Sequence, residues 1–113
     1  MDITKIKELI KSNHDQIISW RRHLHQHPEL SFEEFDTSDF VAEKLIEMGY
    51  EVKRNIGGTG VLATFDTQIP GPVIAFRADM DALPILEETG LSFESENAGV
   101  MHGCGHDGHM AVL

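Results

Sequence analysis

The run Val73-Ile-Ala-Phe76 most constrains the fold of this chain. It is apolar on both faces, as a central strand covered by helices on either side must be. It also runs directly into Arg77-Ala-Asp-Met-Asp-Ala-Leu-Pro84. Acidic residues therefore stand at or beyond the strand's carboxyl end, where open α/β sheets assemble their sites. The rest of the chain predicts matching elements. Ile3, Ile6, Ile10, Ile17, Trp20 and Leu24 recur at helical spacing, giving one apolar stripe on a long helix that begins near Asp2. Pro28 ends it at or just before His27, because the proline ring disfavours the α conformation in the residue ahead of it.

A second helix is predicted from Ser31, where Ser-Phe-Glu-Glu has the form of a capping box with Glu34 reciprocating. Phe35, Val41, Leu45 and Met48 supply its apolar face, and Gly49 its C-terminal stop. Tyr50–Lys53 and Val61–Phe65 read as strands around the glycine-rich turn Ile56-Gly-Gly-Thr-Gly60, which makes a hairpin or a near relative. Residues 85–100 read as irregular or hairpin-like, and residues 110–113 as the first turn of a buried helix. The fold class is α/β, with no internal repeat and no linker in the 113 residues, which can bury one modest core.

Composition excludes several function classes. No apolar run is long enough to cross a bilayer, and the N-terminus lacks the apolar block of a signal peptide, so a cytoplasmic protein without a membrane partner is expected. The net charge of −10, with Lys and Arg scattered apart from Arg21–Arg22, opposes a nucleic-acid partner. The single cysteine, Cys104, cannot form an internal disulfide and suits a reducing compartment.

The chemistry concentrates in Met101-His-Gly-Cys-Gly-His-Asp-Gly-His-Met110, which holds three of the seven histidines and the only cysteine. Thiolate and imidazole donors beside a carboxylate are the ligand set of zinc or a neighbouring transition metal. In an extended stretch, residues two apart share a side, so Cys104 and His106 are candidate ligands of one ion or an ion pair, with glycine permitting the tight path. The blander alternative is a glycine-rich loop with incidental histidines; the density of donors argues against it. A nucleophilic Cys104 activated by histidine is the other alternative, but no oxyanion arrangement accompanies it. Asp79 and Asp81, two apart on the strand, can face one cleft, where one would hold a ligating histidine by its second nitrogen; as strand-ending aspartates they could equally cap the next element. His23 and His27, Glu33 and Glu34, and the Thr59-Gly60 turn are assigned to packing, capping and solvation.

The blocks Arg21-Arg-His-Leu-His-Gln-His-Pro-Glu-Leu30, Gly57-Gly-Thr-Gly-Val-Leu-Ala63, residues 77–84 and residues 101–111 together resemble the M20 peptidase superfamily. Within it they resemble the branch of N-acyl-L-amino-acid amidohydrolases, hippurate hydrolases and auxin-conjugate hydrolases. The resemblance spans nearly the whole chain. It implies a zinc-peptidase-like catalytic domain, a mixed β-sheet flanked by helices, with residues 1–113 as its N-terminal portion and the lid or dimerisation domain absent. It implies two divalent ions (zinc, manganese, cobalt or nickel) that activate water against the amide of a small N-acyl amino acid. Cys104 and His106 match the family's first two metal ligands, and Asp81 the aspartate that orients a ligand. Asp79 stands where the wider superfamily often has a metal-binding histidine, and no ligand role transfers to His109.

The family's general-base glutamate, its neighbouring glutamate ligand and two further histidines would follow Leu113. The chain is therefore expected to be incomplete and inactive in isolation, a metal-dependent amidohydrolase only as part of a longer protein. The alternative is a non-catalytic α/β piece with weak metal binding or an association role. An incomplete sheet leaves a homo-oligomer paired through an exposed edge open.

Overall fold

The computed structural model describes residues 2–113, and its elements are α1 (Ile3–Gln26), α2 (Phe35–Glu47), β1 (Glu51–Ile56), β2 (Gly60–Thr64) and α3 (His106–Val112). Helix α1 begins where its sequence sets a cap: the Asp2 carboxylate accepts from the Thr4 N–H at 2.9 Å. It ends at Gln26, with His27 as its C-cap immediately before Pro28. Strands β1 and β2 pair antiparallel, Glu51 opposite Thr64 and Lys53 opposite Leu62, with an irregularity before Ile56 meets Gly60. A side chain at Gly60 is impossible there, since a Cβ would lie 2.4 Å from the Ile56 carbonyl oxygen. Helix α2 packs on both strands, while α1 packs on α3. No described helix is long and apolar enough to cross a membrane.

Three expectations need correction. Helix α2 starts at Phe35 rather than Ser31, and no capping box forms. The work is done from a distance by Glu29, whose carboxylate accepts from the N–H groups of Thr37 at 2.6 Å and Asp36 at 3.1 Å. Its own N-cap, Glu34, is buried and accepts from the Thr59 hydroxyl at 2.6 Å, which ties the helix start to the hairpin turn. Freed from capping, Ser31 donates to Asp81 at 2.6 Å. The apolar face of α2 is also differently placed: Thr37, Ser38 and Ala42 are buried, whereas Phe35 and Met48 are exposed.

The third correction concerns residues 73–76, which form no strand among the described residues, with Val73 at 99% and Phe76 at 81% exposure. An apolar run becomes a strand only beside a partner, and the one described sheet is the β1–β2 hairpin. Short ladders replace it further along. Leu30 bridges Ala82 in parallel, Leu83 bridges Met101 antiparallel, and the Ala82 N–H donates to the Glu29 carbonyl at 2.7 Å. These bridges bring residues 28–30, 81–83 and 100–101 side by side.

The interior is as much polar as apolar. Leu24, Ala42, Ala82 and Ala111 are its buried hydrophobic residues, set against buried His25, Glu34, Thr37, Ser38, Thr59, His102 and Asp107. Hydrogen bonding must therefore hold together what a small apolar core cannot, because each buried polar group left unpaired is costly.

Candidate metal centre

The bridges just described deliver Asp81 to the start of α3. There the His106 Nδ1 lies 2.9 Å from the Asp81 carbonyl oxygen and 3.0 Å from its Oδ1. Both partners are acceptors, so in the neutral ring Nδ1 carries the proton and Nε2 keeps its lone pair. That second nitrogen faces Asp79, whose Oδ2 is 3.8 Å away. Asp79 is itself engaged by Arg77 at 2.5 Å. The two aspartates reach one imidazole from opposite sides, although they do so from an irregular segment and not a strand. The Ser31 hydrogen bond, with smaller help from the charge and N–H of His106, holds the Asp81 carboxyl below its ordinary range despite an opposing effect of burial. Asp81 is thus an anion beside a histidine whose free nitrogen it orients, the pairing seen behind metal-ligating histidines generally.

Cys104 is an exposed free thiol two residues before His106. The path between them is not the extended loop expected from sequence. Gly105 sits at φ +115°, a left-handed conformation that suits glycine, and turns the chain into α3 so that His106 is the first helical residue. No hydrogen bond links Cys104 to a histidine among the described residues. The donor chemistry fits a transition metal, a thiol and an imidazole nitrogen left free by its partner's orientation. Among the described residues, however, no three of His, Cys, Asp and Glu are grouped closely enough to hold an ion. His109 is exposed, with its ring 5.9 Å from that of His106.

Next to this pair lies a charged cluster that sequence reasoning did not assemble. Asp107, 1% exposed, accepts at Oδ2 from Arg21 Nε and pairs with His25 Nδ1, both at 2.8 Å. The other nitrogen of His25 lies 2.9 Å from Glu87 Oε1. Burial alone would raise the Glu87 carboxyl, but hydrogen bonds from His25, Thr89 and the Ser95 N–H, joined by the charge of His25, bring it down to about 2. Phe93 covers the cluster, edge-on to His25 and beneath the guanidinium groups of Arg21 and Arg22. One signal was present in the sequence: Arg21 and His25 are four apart and share a helix face. Their partners 62 to 86 residues away had no local signature.

His102 completes the surroundings. It is 4% exposed with both ring nitrogens unpartnered. Burial pushes it below its ordinary value, outweighing the opposite pull of Asp107. His23 and His27 sit elsewhere: His23 stacks on Phe40 with ring centroids 4.4 Å apart, a packing role.

Residues 75–113 match peptidase family M20/M25/M40. A relative, the N-acyl-L-amino acid amidohydrolase of Geobacillus stearothermophilus, is 52% identical over 109 residues, 96% of this chain and 30% of that protein. The chain resembles the M20 peptidase family along nearly its whole length. Among solved structures of M20 relatives, a protein from methicillin resistant Staphylococcus aureus superposes with a TM-score of 0.91 at 51% identity, over 96% of this chain and 29% of that one. The Bacillus subtilis YxeP protein, described as a dinuclear metal-binding M20 peptidase, superposes with a TM-score of 0.83 at 48% identity, over 89% of this chain and 28% of that one. The chain thus spans about 30% of the length of the relatives it matches.

Proposed function

We propose that this chain is the N-terminal portion of an M20 catalytic domain that hydrolyses the amide bond of small N-acyl amino acids. In this reading Cys104 and His106 are its contribution to a centre of two divalent ions, and Asp81 is a positioning carboxylate. The observation that carries the proposal is the orientation of His106, with Nδ1 committed to Asp81 and Nε2 left free two residues from an exposed thiol.

When bound, the ions supply Lewis acidity, lowering the pKa of water and polarising the amide carbonyl. The chain's own residues prepare for this. Asp81 fixes the ring of His106 and raises the basicity of its free nitrogen. Cys104 contributes a soft donor, and Asp79 places negative charge on the open side of the ring. Zinc, manganese, cobalt and nickel all suit a mixed sulfur, nitrogen and oxygen set. Among the described residues no three metal donors are grouped closely enough to hold an ion, so the segment alone is expected to be inactive. The YxeP relative, a dinuclear metal binder, supports two ions.

A second reading, a non-catalytic association piece, is favoured by the exposure of Val73, Ile74 and Phe76 in one contiguous stretch. Replacing the matching 30% of the Geobacillus stearothermophilus amidohydrolase with this chain separates the two. The chimera is expected to release free amino acid from N-acetyl-methionine and to lose that activity on Cys104→Ala. A folded chimera that does not hydrolyse N-acyl amino acids would leave only the association reading.

A further inference from the structure

We propose that Asp107 is the positioning residue of the centre: clamped by Arg21 and His25, it fixes the opening turn of α3 and thereby the ring of His106. The inference rests on the reading of His106 as a metal donor. It adds residues of α1 and of the 85–100 segment to the machinery that prepares that donor.

Helix α3 has seven residues, too few to be stable by itself. Its N-cap, Gly105, has no side chain to satisfy the first N–H groups. What holds its start must therefore come from outside, and the first-turn residue best placed to receive it is Asp107. Two donors converge on one oxygen of that carboxylate, Arg21 Nε and His25 Nδ1, both at 2.8 Å and both from the last two turns of α1. His25 is in turn pinned by Glu87, and Glu87 by Thr89 and the Ser95 N–H.

His106 immediately precedes Asp107. Each helical residue turns the chain by about 100°, so a small rotation or slip of the opening turn swings the imidazole away from Asp81. The buried clamp on Asp107 prevents that rotation. Glu87, His25 and Asp107 form one hydrogen-bonded arm and Ser31, Asp81 and His106 another, and a single peptide unit joins Asp107 to His106.

A merely structural ion cluster would alter stability and nothing else. A positioning role has a spectroscopic signature: free imidazole favours the Nε2–H tautomer, whereas His106 donating to Asp81 is held as Nδ1–H. Long-range proton–nitrogen spectra of the ¹⁵N-labelled 113-residue chain, recorded where the ring is neutral, report this directly. His106 is expected as Nδ1–H in the unmodified chain. It should move to a mixture dominated by Nε2–H in Asp107→Asn and Arg21→Met, with folding followed by near-UV circular dichroism. Arg21 is 39% exposed, so Arg21→Met decides alone should Asp107→Asn fail to fold. A folded variant with His106 signals unchanged, or an unmodified chain already in the Nε2–H form, overturns the proposal.

Titrating Zn²⁺ into the same samples separates this inference from the reading beneath it. A tautomer shift in the variants with no zinc perturbation of His106 keeps the positioning role and removes the donor. Zinc perturbation with an unchanged tautomer does the reverse.

Discussion

His106 presents Nδ1 to Asp81 at 3.0 Å, which leaves Nε2 as the nitrogen open to a metal. Removing the charge while keeping the shape tests that relationship. Asp81→Asn in the Geobacillus chimera is expected to weaken metal affinity or turnover by about 10–100-fold, the usual cost of losing a carboxylate behind a ligating histidine. Isothermal titration with Zn²⁺ and initial rates on N-acetyl-methionine measure it. Unchanged values would reduce Asp81 to a partner of Ser31.

The His25 cluster makes a prediction about stability. His25→Leu leaves Asp107 and Glu87 buried with their shared partner gone, and stranding buried charges in this way costs about 3–5 kcal/mol. Chemical denaturation of the chain should show that loss. A change below about 0.5 kcal/mol, the range of surface substitutions, would mean that water or Arg21 compensates.

Glu87 gives the cluster a pH dependence. Its folded value of about 2 lies below its ordinary 4.5, so the stability it contributes is fully present above pH 4.5 and is lost as pH falls through about 2. Thermal unfolding across that window should therefore fall more steeply for the unmodified chain than for Glu87→Gln, which has no carboxyl to protonate. Parallel curves would show that the hydrogen bonds to Glu87 do not favour its charged form.

The isolated 113-residue chain should not hydrolyse N-acetyl-methionine or hippurate with Mn²⁺ or Zn²⁺ supplied. Metal-assisted hydrolysis needs a complete ligand set and a base to accept the water's proton, and the described residues gather no three metal donors. Release of free amino acid that disappears in Cys104→Ala would show that the chain is an enzyme by itself.

Local physics was legible in the sequence wherever it was sufficient. The helix start near Asp2, the stop before Pro28, the left-handed Gly49 and the hairpin at Gly57–Gly60 follow from residues within a few positions of one another. The reading failed where distant partners decide. Ser31 has the spacing of a helix cap, yet Asp81, fifty residues on, takes its hydroxyl, and Glu29 caps α2 instead. Residues 73–76 have the pattern of a central strand, but pattern does not supply a neighbour. At the site, the block from Cys104 to His109 stood out by density. The grip on Asp107 did not, because Arg21 and His25 read as ordinary helix residues until the fold carries them to α3.

The central claim is that Cys104 and His106 donate to the same dinuclear centre, and X-ray absorption at the zinc edge of the metal-loaded chimera tests it most directly. One sulfur scatterer for every two zinc ions bound is expected, at the zinc–thiolate distance of about 2.3 Å. Cys104→Ser should abolish it and lower the bound zinc, since a hydroxyl is a poor substitute for thiolate at a soft site. A fully loaded centre with only nitrogen and oxygen neighbours, unaltered by Cys104→Ser, would contradict the account.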